Sequence, residues 1–538
     1  MTASSTQEYL RAVQAAMRAD NMAAAAETAE RAIAEGHEHP QLLTVAAYDR
    51  VSAGDYERGL LFASRALDLA PGNVDVLNVK GECLTKLDRA AEAIPVLDRA
   101  LLLTPNDAVL HFNIGEALYQ ERRYSRARDH FERAFQLDPS RAEVAAQIAF
   151  LSAQNGDMAR ARSFGLRALA IDPMQAFASY AVALADIEDG NCAEAQARMT
   201  ELINTSHIGR IARALAYSIL GDALDGMKRT DEAFAAYSRA GGAMHELYKP
   251  GPDVDPEMAI ARSKRLLAYV EKAPAESWRA EPGHSPVRNH VFVVGFPRSG
   301  TTLLAQILAS HPQVELLDER RVFADVAELL KTEAGLNRLA AMSGDELAFY
   351  RNAYWKRVAE FAAVGSKDVF VDKMPLNCEF LFLIAKLFPQ ARIVFALRDP
   401  RDIVFSCFRR RFRITRQMYE LLTLEGAASF YDVIMKLREV YRGKLSLPMI
   451  DVHNEDLIED FEGETRKLCD FLGMEYDAAM SQFAQHARKR AISTPSATQV
   501  VRGIYRQGMG QWRPYRDHLA PVLPVLAPWV ERLGYPKE

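Results

Sequence analysis

The stretch GFPRSGTT, residues 295–302, is where the reading of this chain turns. It follows the apolar run HVFVV and precedes TLLAQILASH. Strand, glycine-rich turn and helix in that order are the context of a phosphate-binding loop. The first backbone N–H groups of such a helix have no partner within the helix, and its dipole favours an anion. Gly295 and Gly300 have the P-loop spacing, but Thr301 stands where a nucleoside triphosphatase carries its lysine. The loop's one cation is Arg298, and Thr301 and Thr302 add hydroxyl donors. The pattern predicts an anion site and opposes a kinase or triphosphatase, which needs that lysine and a Mg²⁺-binding acid.

Outward from the loop, residues 368–372 (DVFVD), 391–397 (ARIVFAL) and 447–456 (LPMIDVHNED) are further strand-like runs separated by helical stretches. This alternation predicts a P-loop-like α/β domain with a parallel sheet over residues 290–538. Upstream, residues 273–289 (APAESWRAEPGHSPVRN) read as a linker, preceded by one amphipathic helix, so residues 246–289 form a connection.

The N-terminal part has a different texture. Pro71, Pro105, Pro139 and Pro173 recur every 34 residues, and Ala66, Ala100, Ala134 and Ala168 keep the same step. Gly81, Gly115 and Ala149 follow suit, and after Ala195 the register slips by four to Gly221, Ala233, Tyr237 and Ala240. Small residues at two helix crossings and a helix-ending proline resemble the tetratricopeptide repeat. About seven units are expected over residues 1–245, an all-α solenoid whose groove suits a protein or peptide. A plain supporting solenoid is the competing reading.

The bulk properties exclude little. The 538 residues are 49% hydrophobic and 25% charged, with a net charge of −5, so no overall basic field points to nucleic acid. The five cysteines show no CxxC pairing, which suits free thiols in a reducing compartment and gives no metal site. No apolar run approaches the roughly 18–20 residues of a membrane helix. A cytoplasmic protein without a membrane partner is expected, and a homodimer stays open.

A second segment sharpens the anion reading. FALRDPRDIVFSCFRRRF, residues 395–412, carries Arg398 and, eight residues on, Ser406. An arginine offers a phosphate a charge-assisted fork. Together with PRSGTT, this pair resembles the sulfotransferases that use 3′-phosphoadenosine 5′-phosphosulfate (PAPS), most closely the tyrosylprotein sulfotransferases and their repeat-fused bacterial relatives. The resemblance covers residues 290–538. It implies that Pro297, Arg298, Ser299, Gly300, Thr301 and Thr302 hold the 5′-phosphosulfate, and that Arg398 and Ser406, with Arg410, hold the 3′-phosphate. PAP is the implied product, and no metal is required. Arg409 and Arg411 read as a solvated basic face.

The same resemblance assigns catalytic roles. In VELLDERRVF, residues 314–323, Glu319 takes the place of the base and Arg321 that of an acceptor-binding cation. Lys373, in VDKMP, takes that of the catalytic lysine, and Arg298 stabilises the moving group. Ser496 matches a PAPS-contacting serine. Two departures stand out: Gln511 precedes Trp512 where the family has lysine, and Asn454 replaces a tyrosine near the nucleotide. The expected reaction is sulfuryl transfer to a protein or peptide hydroxyl, tyrosine among the candidates. A glycan acceptor, or a repeat scaffold with an inactive anion-binding domain, are the alternatives.

Overall fold

The computed structural model describes residues 5–206, 208–249, 258–410, 414–489, 503–504 and 508–538. Ser496 and Arg411 lie outside them. The chain divides into two compact units: residues 1–182 apart from the turn 154–156, and residues 183–538 with that turn. Among the described residues, no helix is long and apolar enough to cross a membrane.

From Thr6 to Leu247, fourteen described helices follow one another in seven pairs. The first helix of most pairs is 13 residues long, but that of the last, α1 (Arg210–Gly226), has 17. That extra turn is the four-residue slip in the sequence period. Three of the pairs close by setting a glycine against a large residue 16 positions later. A Cβ added at Gly81 would lie 2.4 Å from Leu97, at Gly115 2.6 Å from Phe131, and at Gly221 2.5 Å from Tyr237. The glycines are therefore set by steric contact with buried side chains. Helix propensity alone favours alanine there.

The second unit holds a five-stranded, all-parallel sheet. Its strands are β1 (Asn289–Gly295), β2 (Val314–Asp318), β3 (Val369–Lys373), β4 (Arg392–Leu397) and β5 (Met449–His453), in the order β2-β3-β1-β4-β5. Both faces are buried, as parallel sheets require. Phe292, Val294, Phe370, Ile393 and Phe395 face one core, and Val291, Val293, Val369, Val371 and Val394 the other. The side-chain period of two sorts neighbouring residues onto opposite faces.

The last helix pair, α1 and α2 (Thr230–Leu247), belongs to this unit. Leu224, Ala233, Ala236 and Tyr237 join the same apolar core as Phe292 and Phe395. A Cβ at Gly241 would fall 2.2 Å from the carbonyl oxygen of Leu422, so α2 touches backbone there. The segment read as a linker is packed. Trp278 is buried edge-on to Phe382, and Lys386 Nζ donates to the carbonyls of Ser277 and Ala340.

Gly221→Ala should lower stability by about 1–3 kcal/mol, because the buried Tyr237 ring cannot yield easily. Gly242→Ala, on the same helix pair with nothing within 4 Å of the new Cβ, should raise it by about 0.5–1 kcal/mol. Urea-unfolding midpoints of the two variants should move in opposite directions; a shared direction contradicts the packing account.

Candidate active site

The loop at the end of β1 lies at the strand-order reversal, with β3 on one side and β4 on the other, where open α/β sheets bind ligands. The following helix, α3 (Thr301–Ala309), starts at Gly300, whose φ is 102° and which makes no side-chain cap. Gly300 is required sterically, since a Cβ there would meet Asn454 Oδ1 at 2.7 Å. Asn454 thus packs directly on the loop. Residues 297–299 and 301–302 are buried.

Six described non-glycine residues have positive φ. Asp20, Asp88, Arg122 and Lys228 occupy turns between repeat helices. The other two are Arg298 (71°) and Glu319 (50°), both singled out from the sequence. Left-handed backbone is unfavourable for side chains with a Cβ, and such strain gathers at functional sites.

Arg298 Nε donates to Ser406 Oγ at 3.0 Å, which joins the loop to helix α4 (Pro400–Phe408). Arg398 Nη1 donates to the Arg298 carbonyl at 3.2 Å. Burial, and then the neighbouring Arg410 and Arg398 guanidiniums, hold the Arg298 pKa well below the usual arginine range. Several cations drawn together out of water favour an anion among them. Ser299 Oγ and Arg398 Nε are buried without a hydrogen-bond partner. Two cysteines that carried no sequence reading brace the loop from below: Cys407 Sγ donates to the Pro297 carbonyl at 3.3 Å and Cys378 Sγ to that of Gly295 at 3.7 Å.

Lys373 and Glu319 meet on the other side of the loop. Register pairs Val293 and Asp318 with Lys373, so β2 and β3 end level, two residues short of the end of β1. Glu319 N–H extends the ladder to the Lys373 carbonyl at 2.8 Å. Lys373 is fully buried, with Nζ 2.6 Å from Asp318 Oδ1 and 2.9 Å from Glu319 Oε1. Burial pulls its pKa down, but the two carboxylates outweigh burial and leave it raised. Lys373 therefore stays an ammonium that tethers Glu319 to the strand end. Arg320 lies over the Phe361 ring at 4.8 Å, and Arg321 is exposed beside them.

The reading of Arg409 as a solvated face is overturned. It is only 6% exposed, and its Nη1 pairs with Asp225 Oδ2 at 3.1 Å. Its Nη2 donates to Gln511 Oε1. The physical reason is that α4 ends against α1, so the side chain following the helix points into protein. Asp402 was also missed. It accepts from the backbone N–H groups of Gly510 (2.6 Å) and Trp512 (3.0 Å), and Arg398 Nη2 donates to the Gly508 carbonyl. No local spacing announces contacts spanning over 100 residues. Among the described residues, no group of three His, Cys, Asp or Glu side chains could hold a metal ion.

Beside Lys373, Asp372 is fully buried and accepts from Tyr354 Oη at 2.9 Å; His290 Nε2 lies 2.9 Å from the same hydroxyl. Burial pushes Asp372 up to about 7, against the lowering effects of Tyr354 and Lys373. The folded chain then keeps a proton that an unfolded aspartate releases near pH 4. Stability from this group is full below that value and falls as pH rises towards 7, by roughly 4 kcal/mol in all. Asp372→Asn removes the loss. Its unfolding free energy minus that of wild type should climb between pH 5 and pH 8; a pH-independent difference rules out the buried neutral carboxyl.

Residues 290–478 match the sulfotransferase family, and residues 50–111 and 108–141 match the tetratricopeptide repeat. The chain is similar to an uncharacterised protein of Aquifex aeolicus, 26% identical over 350 residues, covering 62% of this chain and 44% of that one. It is also similar to protein-tyrosine sulfotransferase A of Caenorhabditis elegans, 27% identical over 276 residues, covering 48% of this chain and 70% of that one. The match to the first thus spans less than half of that protein's length. Among solved structures, a tetratricopeptide repeat protein from Parabacteroides merdae matches 44% of this chain and 93% of its own at 16% identity, with a TM-score of 0.35.

Proposed function

We propose, from the premise that this chain carries a sulfotransferase-family domain behind tetratricopeptide repeats, that it moves a sulfuryl group from PAPS to a hydroxyl of a protein or peptide, with tyrosine as the first candidate. The observation that carries the proposal is the pairing of two features at one sheet edge. On one side lies the buried arginine group around the phosphate loop, and on the other the Lys373–Glu319 pair.

The residues fit the nucleotide. Ser299 Oγ and Arg398 Nε are buried polar atoms that lack partners, and both belong to the two phosphate motifs. The loop backbone from Pro297 to Thr302 would hold the 5′-phosphosulfate, and Arg398, Ser406 and Arg410 the 3′-phosphate. When bound, PAPS supplies the sulfuryl group and a phosphate oxygen as leaving group. Glu319 takes the proton of the acceptor hydroxyl as its oxygen bonds to sulfur. Lys373 would supply a proton donor for the departing oxygen, and Arg298 would offer positive charge to the sulfuryl oxygens. Arg321, exposed next to the base, suits a negatively charged stretch of acceptor. Ser496 remains part of the proposal, on sequence alone.

Adenosine 3′,5′-bisphosphate should bind the full chain in calorimetry, while ATP binds far more weakly. Arg398→Ala should lose roughly 10–100-fold in affinity, as expected for charge-assisted bonds to a phosphate. Glu319→Gln should keep that affinity and lose about 10²–10⁴-fold in transfer rate to a tyrosine peptide. Equal ATP binding with Mg²⁺-dependent turnover sinks the proposal.

A further inference from the structure

The last helix pair of the repeat array reaches the phosphate side of the site through one carboxylate. Asp225, near the end of α1, binds two separate pieces of the α/β domain. Its Oδ2 pairs with Arg409 Nη1 at 3.1 Å, and its Oδ1 accepts from Tyr515 Oη at 2.6 Å. Arg409 follows α4, the helix that carries Ser406; Tyr515 lies in the C-terminal segment. Arg409 then ties to that segment itself, through Gln511. Ser218, also on α1, donates to the Arg409 carbonyl at 3.4 Å. Aromatic packing seals the joint: Phe405 and Tyr515 rings lie 4.3 Å apart, and Phe234 of α2 stacks on His518 at 4.3 Å.

The segment anchored in this way sets the pose of Arg398. Gly508 offers Arg398 its carbonyl, and Gly510 and Trp512 donate to Asp402, whose Oδ2 lies 3.8 Å from Arg398 Nη2. A guanidinium binds a phosphate well only when its fork is aimed, so what fixes residues 508–512 fixes the fork. We propose that Asp225 is a positioning residue for the nucleotide-binding side of the site, acting through Arg409, Gln511 and Tyr515 on Arg398. The final repeat is then a working part of the sulfotransferase domain. This rests on the nucleotide reading given above.

Removing the Asp225 charge alone would have two opposed effects. The anchor is lost, which weakens phosphate binding, but Arg409 is left uncompensated near Arg298, which strengthens it. The test therefore uses charge-balanced changes in the full chain. Affinity for adenosine 3′,5′-bisphosphate is measured by calorimetry well below each variant's melting temperature. Asp225→Asn combined with Arg409→Gln should weaken binding by about tenfold or more, the scale expected for a displaced binding group. Gln511→Leu and Tyr515→Phe, which change no charge at neutral pH, should each weaken it by about three- to tenfold, and Asp225→Glu should largely keep it. Should the double variant fail to fold, the two single ones decide. Affinities within twofold of wild type, with lowered melting temperatures only, reduce Asp225 to a structural residue and overturn the proposal. Wild type that does not bind the nucleotide overturns the underlying reading, a result seen before any variant is made.

Discussion

The burial of Arg298 beside Arg398 and Arg410 is the constraint from which the rest of the site follows. Guanidiniums repel one another, and the repulsion grows as water is excluded. The fold nonetheless holds Arg298 in left-handed backbone with its Nε on a neutral hydroxyl, Ser406. That arrangement needs a rigid frame on every side. β1 and α3 fix the loop's ends, Cys378 and Cys407 hold its carbonyls, and Asn454 closes over Gly300. A loop so confined presents its cation and N–H groups without reorganising, which is the condition for strong electrostatic stabilisation of an incoming anion.

Sheet topology explains why the Lys373–Glu319 pair stands beside the loop that carries Arg298. Placing β3 between β1 and β2 brings Lys373 level with Asp318, two residues short of the loop on β1. Lys373 can then remain charged in full burial because two carboxylates share it, and in return it fixes Glu319 in its strained conformation. A lysine buried alone would have shed its proton. Asp372, one residue earlier and turned to the opposite face, has no such cation to itself and is driven towards neutrality. Adjacent residues on one strand thus reach opposite protonation behaviour through the two faces of the sheet.

What the sequence disclosed, it disclosed through local physics. The phosphate loop needs glycines and a strand–helix junction within eight residues, and the repeats reveal themselves by a 34-residue period. Four of the five strands were visible as strand-like runs, whereas β2, VELLD, holds one β-branched residue and two acids. Partners far apart in the chain were not visible. Arg409 lies in a basic run whose composition says surface, yet Asp225, 184 residues earlier, draws it inward. The proline-rich stretch 273–289 has the composition of a linker, but Trp278 and three carbonyl-binding lysine and arginine side chains, Lys386, Lys444 and Arg351, tie this region down. Composition reports the average environment of a residue type and cannot register a specific buried partner.

The division of the chain bears on what the repeats are for. A solenoid unit contacts only its neighbours, and a terminal unit must cover its own open face. Here the seventh pair solves that problem by merging with the α/β core, where Leu224, Ala233 and Tyr237 share apolar contacts with the sheet. An end cap needs only such apolar burial. It does not need a carboxylate aimed at the residue following α4 and at the C-terminal segment together. An ion pair with one partner partly open to water adds little stability, about 0–1 kcal/mol, so what such a pair supplies is mainly direction. The Asp225–Arg409 pair, with its arginine buried and its carboxylate 34% exposed, has under our proposal the task of fixing one orientation of the chain around Arg398, where misalignment of even an ångström would weaken a grip on phosphate.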